Sequence, residues 1–151
     1  QKVVKPFKSK LYGEDPENNP LVLGVLSAED QVKAYRECSV YFSLGSMPAS
    51  LTYNFLEAMS TGCPTITWGP MLGNYKGTQW DGSYEQCDLI ENGKNGFCSD
   101  NLNEMQDFIR ILLKDKVLAK EISKNARQTI KDNFSKEIVK RKWKTFLDSL
   151  I

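Results

Sequence analysis

Three hydroxyls and a carboxylate crowd one short stretch of this chain. In "SMPASLTYNFLEAMSTGCP", Ser46, Ser50 and Thr52 stand at the start of an apolar helical run, and Glu57 lies inside it. If that run opens a helix at the carboxyl edge of a parallel sheet, its first backbone N–H groups are unpaired and carry partial positive charge, so they favour an anion such as phosphate. The hydroxyls add donors, and Gly45 lets a ligand approach the backbone closely. Serine and threonine also cap helices with no ligand present, and that reading stands beside the first. Glu57 sits among Phe55, Leu56, Ala58 and Met59, where an acid is costly without partners. About one and a half turns into the helix, its carboxylate is placed to accept two hydrogen bonds from a ribose diol whose phosphates rest at the helix start. The plain alternative is a glutamate facing solvent.

The remaining composition narrows the chemistry. There is no histidine, which removes the commonest general base, the commonest metal ligand and every histidine-dependent triad. Cys38, Cys63, Cys87 and Cys98 are 25, 24 and 11 residues apart, with no C-x-x-C pair to suggest zinc or redox chemistry. Reduced, mostly buried thiols and a cytoplasmic setting are expected. Lys and Arg number 20 against 19 acids, so no global field draws nucleic acid. No apolar run approaches the roughly 18 residues of a membrane span. A length of 151 residues with 40% apolar content suits one domain, and a start at Gln1 rather than methionine suggests a piece of something longer.

The elements that must position these groups follow from periodicity. Val3-Val4 is a short β-like run, and residues 13–20 are turn-rich. "LVLGVL" at 21–26, "VYFSLG" at 40–45, "PTITWG" at 64–69 and the short "GFCS" read as buried strands. Helices are expected from Ser27, paired with Asp30 as a cap, to about Cys38; from Leu51 to Ser60; and over 101–114, 116–132 and 135–150, with a short one at 84–91. The segment 70–83 has three glycines and no period, so it reads as a long surface loop. Asn74, Tyr75, Lys76, Gln79, Trp80 and Asp81 within it suit either a lid over a sugar or base or an ordinary variable loop, whereas Trp68 suits core packing. Strands alternating with helices indicate an α/β fold, a Rossmann-like parallel sheet flanked by helices, in which ligands bind beyond the carboxyl ends of the strands.

The last helix carries Val139, Trp143, Phe146, Leu147 and Leu150 on one face, with Lys136, Lys140, Arg141 and Lys144 largely on the other. Two uses of the apolar face stay open: packing on its own domain, or contact with a membrane surface or a partner.

These residues resemble the C-terminal nucleotide-sugar-binding domain of GT-B glycosyltransferases, most like family 4 and its relatives. That family carries E-x7-E on a helix, followed by A-M-x-x-G-x-P and a strand. "LEAMSTGCPTITWG" is similar to the second half of this pattern, with Glu57 as the second acid and Gly62 and Pro64 in place. "DLIENGKNGF" resembles the family's E-x-I-x-x-G-x-x-G-(F/L) segment, and "FSKEIVKRKWKTFLDSL" its closing helix. The likeness covers roughly residues 21–150.

The resemblance implies a donor domain that binds a nucleotide diphosphate sugar as its donor substrate, with no cofactor and no metal, for retaining transfer of a hexose to a sugar, lipid or protein acceptor. Glu57 would contact the ribose, and amides near Ser50, Leu51, Thr52, Tyr53 and Asn54, with Ser46 and Gly45 close by, the diphosphate or sugar. Asn74, Lys76 and Trp80 become lid or acceptor contacts. Two departures bear on activity. Ala49 stands where the first acid is usual, and the family's basic pair and N-terminal acceptor domain have no counterpart here, Lys5, Lys8 and Lys10 reading better as a solvated cluster. The isolated polypeptide is therefore expected to be inactive, and a non-catalytic binding or assembly module with the same fold is the alternative. No residue is assigned a catalytic role.

Overall fold

The structure is a computed structural model, and it describes residues 3–14, 19–20, 22–43, 52–73 and 84–150. Three strands, β1 (Tyr41–Ser43), β2 (Thr65–Trp68) and β3 (Phe97–Ser99), form a parallel sheet in the order β1-β2-β3. Around it lie α1 (Ala28–Glu37), α2 (Tyr53–Thr61), the single turn α3 (Pro70–Gly73), α4 (Leu102–Lys114), α5 (Lys116–Phe134) and α6 (Lys136–Asp148).

The helix starts follow the capping residues. Ser27 Oγ accepts from Asp30 N at 3.1 Å, Asn101 Oδ1 from Asn103 N at 2.9 Å, and Asp115 Oδ1 from Val117 N and Leu118 N at 3.0 Å each. In the sheet, Phe42 pairs with Ile66 and Ile66 with Phe97, so one row of apolar side chains crosses all three strands. Met105, Ile109 and Leu112, spaced four and three residues apart along α4, pack with Ile66 and Phe97, and Phe97 stacks on Phe108 with centroids 4.3 Å apart. Side chains alternate along a strand, so Ser43, Thr65 and Thr67 turn the other way. Helix α5 serves two clusters: Ile122 joins the α4 core, and Ala126 packs with Phe55 and Met59 of α2.

Gly62 closes α2 at φ +79°, and its N–H reaches Ala58 O and Met59 O. Arg127 lies over it and donates from Nε and Nη2 to Thr61 O at 3.1 and 2.6 Å. A Cβ at this position would stand 2.5 Å from Arg127 Nε. Gly62→Ala is therefore expected to lower stability by about 2 kcal/mol, from left-handed backbone strain together with a displaced guanidinium. An unchanged urea midpoint would contradict this.

Four expectations are corrected, and the packing of the last helix, which the sequence left open, is decided. Of the run at 21–26, the described residues 22–26 do not form a strand: Val22 makes one isolated parallel bridge to Leu11, Gly24 adopts φ +89°, and Leu23 and Val25 are 57% and 72% exposed. The positive φ breaks the extended path, leaving this apolar run without a ladder to join. Val3-Val4 lies in a turn, although Val3 is buried in the α4 core. The loop expected from residue 70 begins with α3, and the helix expected over 84–91 contracts to a 3₁₀ turn at Cys87–Leu89. Finally, α6 does not pack its apolar face on the domain. It meets α5, where Lys142 donates to Asn133 O at 3.3 Å and lies over the Phe134 ring, and this turns Trp143, Phe146, Leu147 and Leu150 outward, each more than half exposed.

Candidate functional site

Helix α2 follows β1 in the chain, so its first turn stands at the carboxyl edge of the sheet. Thr52 is its N-cap: the backbone there is extended, and Thr52 Oγ1 accepts from Phe55 N at 3.4 Å while Thr52 O takes Phe55 N and Leu56 N at 3.1 and 3.2 Å. The N–H groups of Tyr53 and Asn54 come ahead of the intrahelical ladder. Tyr53 is 83% exposed. Asn54 is exposed too, but its side chain is engaged: Gln31 Nε2 donates to Asn54 Oδ1 at 3.0 Å and to Tyr35 Oη at 2.7 Å, tying α2 to α1.

Glu57 is exposed, and its carboxylate has no hydrogen bond or ion pair among the described residues. The expectation of an acid in apolar surroundings is corrected by helix geometry. Phe55, Ala58 and Met59 are buried, and a step of two residues from Phe55 rotates Glu57 by roughly 200° away from that position. Its neighbours in sequence are not its neighbours in space. It faces α1 closely enough for its charge to help raise the Tyr35 phenol, after burial as the main cause. Gly45, Ser46, Ser50, Leu51, Asn74, Lys76 and Trp80 lie outside the described residues.

Sequence reasoning missed what lies beneath this edge. Gln86 is fully buried, and its Oε1 accepts from Ser43 Oγ at 2.8 Å and from Thr67 Oγ1 at 3.0 Å. Thr67 Oγ1 also shares a short hydrogen bond with the Tyr84 hydroxyl, and Gln86 Nε2 donates to Thr52 Oγ1 at 3.4 Å. The last residue of β1, Thr67 of β2 and the cap of α2 are thereby joined through one amide. Only the run of small hydroxyl residues on the strands hinted at it.

Burial pushes the Tyr84 phenol up to about 12, against the opposing effect of its bond to Thr67. The folded state keeps this phenol neutral where the unfolded chain, titrating near 10, would ionise it. Its contribution to stability is therefore complete below pH 10 and is lost as pH rises towards about 12. Tyr84→Phe is expected to flatten the fall of the urea midpoint across that window; an identical slope would refute the assignment.

The neighbouring corner is closed. Gly69 N donates to Ser99 O at 2.8 Å, and Asp100 Oδ1 accepts from Leu72 N at 2.7 Å, so the chain after β2 is held against β3. Trp68 packs against the core as expected, with its indole N–H buried and unpartnered among the described residues. The glycines of "DLIENGKNGF" are structural: Gly93 turns at φ +78°, and a Cβ on Gly96 would lie 2.9 Å from Thr65 O. Lys5, Lys8 and Lys10 are exposed and remote in sequence from this edge.

Comparison with known proteins bears on this arrangement. No family model matches the chain. A poly(ribitol-phosphate) alpha-N-acetylglucosaminyltransferase of Staphylococcus aureus (strain COL) is 36% identical over 72 residues, 46% of this chain and 15% of the relative. Two solved structures share the fold. HepE of Anabaena, in complex with UDP-glucose, superposes with a TM-score of 0.65 at 20% identity over 88% of this chain and 33% of its own. A TarM variant of S. aureus, in complex with fondaparinux, alpha-GlcNAc-glycerol and UDP, superposes with a TM-score of 0.68 at 25% identity, over 95% of this chain and 30% of its own. The chain thus spans a third or less of the proteins it matches, and over that span its fold is the Rossmann-like parallel sheet flanked by helices found in these GT-B glycosyltransferases.

Proposed function

We propose that this chain is the donor-binding part of a glycosyltransferase that uses a nucleotide diphosphate sugar, with uridine as its base. The observation carrying this reading is that the exposed Tyr53 and Asn54 at the start of α2 and the Glu57 carboxylate, unpaired among the described residues, belong to one helix. Thr52 and Glu57 are five residues apart, about 7.5 Å of helix rise, which is on the scale separating a ribose diol from the terminal phosphate of a nucleoside diphosphate. The relatives' bound UDP and UDP-glucose support the same ligand class.

In this reading the N–H groups of Tyr53 and Asn54, with the helix dipole behind them, hold the diphosphate and take up the charge that develops as it departs. Glu57 accepts hydrogen bonds from the ribose hydroxyls. Transfer of a hexose with retained configuration, without a bound metal, to a sugar, lipid or protein acceptor completes the proposal, in a cytoplasmic setting. Transfer also needs an acceptor held in near-attack geometry, which a second domain would supply, so this chain alone is expected to bind donor without turnover.

Ala49 in the place of the usual first acid favours a second reading, a binding module that has kept the fold without transfer. Calorimetric titration with UDP, UDP-glucose, GDP and ADP tests the main one. Saturable binding of UDP and its sugar, tighter than that of the other two diphosphates, is expected. Heats indistinguishable from dilution for all four at millimolar concentration would defeat it.

A further inference from the structure

Cys38 and Cys63 are 25 residues apart in sequence, yet folding sets their sulfurs 3.0 Å from each other. Cys38 is the C-cap of α1, and Cys63 follows Gly62 at the end of α2, just ahead of β2. The pair lies beside Tyr35, Ala58 and Tyr41. Its two members differ in access: Cys38 is exposed, whereas Cys63 is only 2% exposed. A hydrogen bond with the Cys63 thiol pulls Cys38 below the ordinary thiol range, against the effect of burial. The same bond, together with burial, pushes Cys63 far upward. The sulfur of the exposed residue is thus the better nucleophile, and a protonated thiol lies against it.

We propose that Cys38 and Cys63 form an oxidative modification site that takes hydrogen peroxide. The Cys38 sulfur attacks the terminal peroxide oxygen, the O–O bond breaks, and water leaves, giving Cys38 sulfenic acid. The Cys63 sulfur then attacks the Cys38 sulfur, the S–O bond breaks, and a second water departs with the Cys63 proton. Two thiols lose two electrons and one hydrogen peroxide becomes two waters. Closing the gap to a disulfide of about 2.05 Å needs an approach of only about 1 Å. The link would join the end of α1 to the start of β2, at the amino edge of the sheet and away from Thr52, so it leaves the proposed donor site free.

Cys87 and Cys98 provide an internal reference. They too interact with each other, but burial raises both: Cys87 to about 11, with the charges of Cys98 and Asp88 adding to it, and Cys98 with the Asp100 carboxylate adding to it against the lowering effect of its bond to Cys87.

The test is peptide mapping of the folded chain after exposure to about a tenfold excess of hydrogen peroxide, with unreacted thiols alkylated. The expected result is a dithiothreitol-reversible mass loss of about 2 Da in a peptide pair linking Cys38 to Cys63, while Cys87 and Cys98 remain alkylated. Cys63→Ser should trap a dimedone-reactive sulfenic acid at Cys38, and Cys38→Ser should abolish both products. Cys38 and Cys63 remaining alkylated, or Cys87 and Cys98 oxidising first, would overturn the proposal. The unsubstituted protein decides this even if a variant fails to fold.

Discussion

Gln86→Leu is expected to lower the stability of the fold by about 3 kcal/mol and to loosen the first turn of α2. The substitution conserves much of the side-chain volume but removes the acceptor shared by Ser43 and Thr67 and the donor to Thr52. Ser43 is 1% exposed, so its hydroxyl is left buried without this partner, at a cost of about 1–3 kcal/mol. Thr67 keeps its bond to Tyr84, while Thr52 keeps the bond from Phe55 but loses its tether. Urea unfolding reads the stability, and amide exchange at Tyr53, Asn54 and Phe55 reads the loosening. A stability change under about 0.5 kcal/mol with unaltered exchange would mean that the network neither supports the fold nor positions the cap.

Glu57→Ala is expected to have the opposite signature. It should weaken UDP binding about tenfold, which is about 1.4 kcal/mol, while leaving stability within about 0.5 kcal/mol of the parent. The reason is the same exposure that corrected the sequence reading: a carboxylate with no partner among the described residues contributes little to the fold and is available to a ligand. Glu85→Ala, another exposed acid near the sheet's carboxyl edge, serves as the control for a general charge effect. Equal UDP affinity in the Glu57 variant and the parent would remove Glu57 from the donor site, and equal losses in both variants would reduce its role to long-range electrostatics. Together the two substitutions separate a residue that holds the site's shape from one that meets the ligand.

Much of the fold was legible. Ser27, Asn101 and Asp115 mark helix starts because each accepts from amides two or three residues ahead, an interaction complete within one turn. Met105, Ile109 and Leu112 mark the buried stripe of α4 by their spacing alone, and the apolar runs at 40–45 and 64–69 contain β1 and β2. The run at 21–26 misled for a matching reason: apolar content is necessary for a buried strand, but Gly24 turned the backbone and no neighbouring strand took up the ladder.

The chain by itself determined most of its local elements, their order and hence the parallel α/β class, because caps, periods and glycine turns act between residues at most a few positions apart. Tertiary structure alone decided which polar and reactive groups meet. Gln86 reaches Ser43 across 43 residues and Thr52 across 34, and Cys38 reaches Cys63 across 25, none of them marked by a spacing rule. It also decided which groups are exposed, leaving Glu57 and the apolar face of α6 without a covering neighbour among the described residues, because burial depends on what packs opposite a residue and not on the residues beside it in the chain.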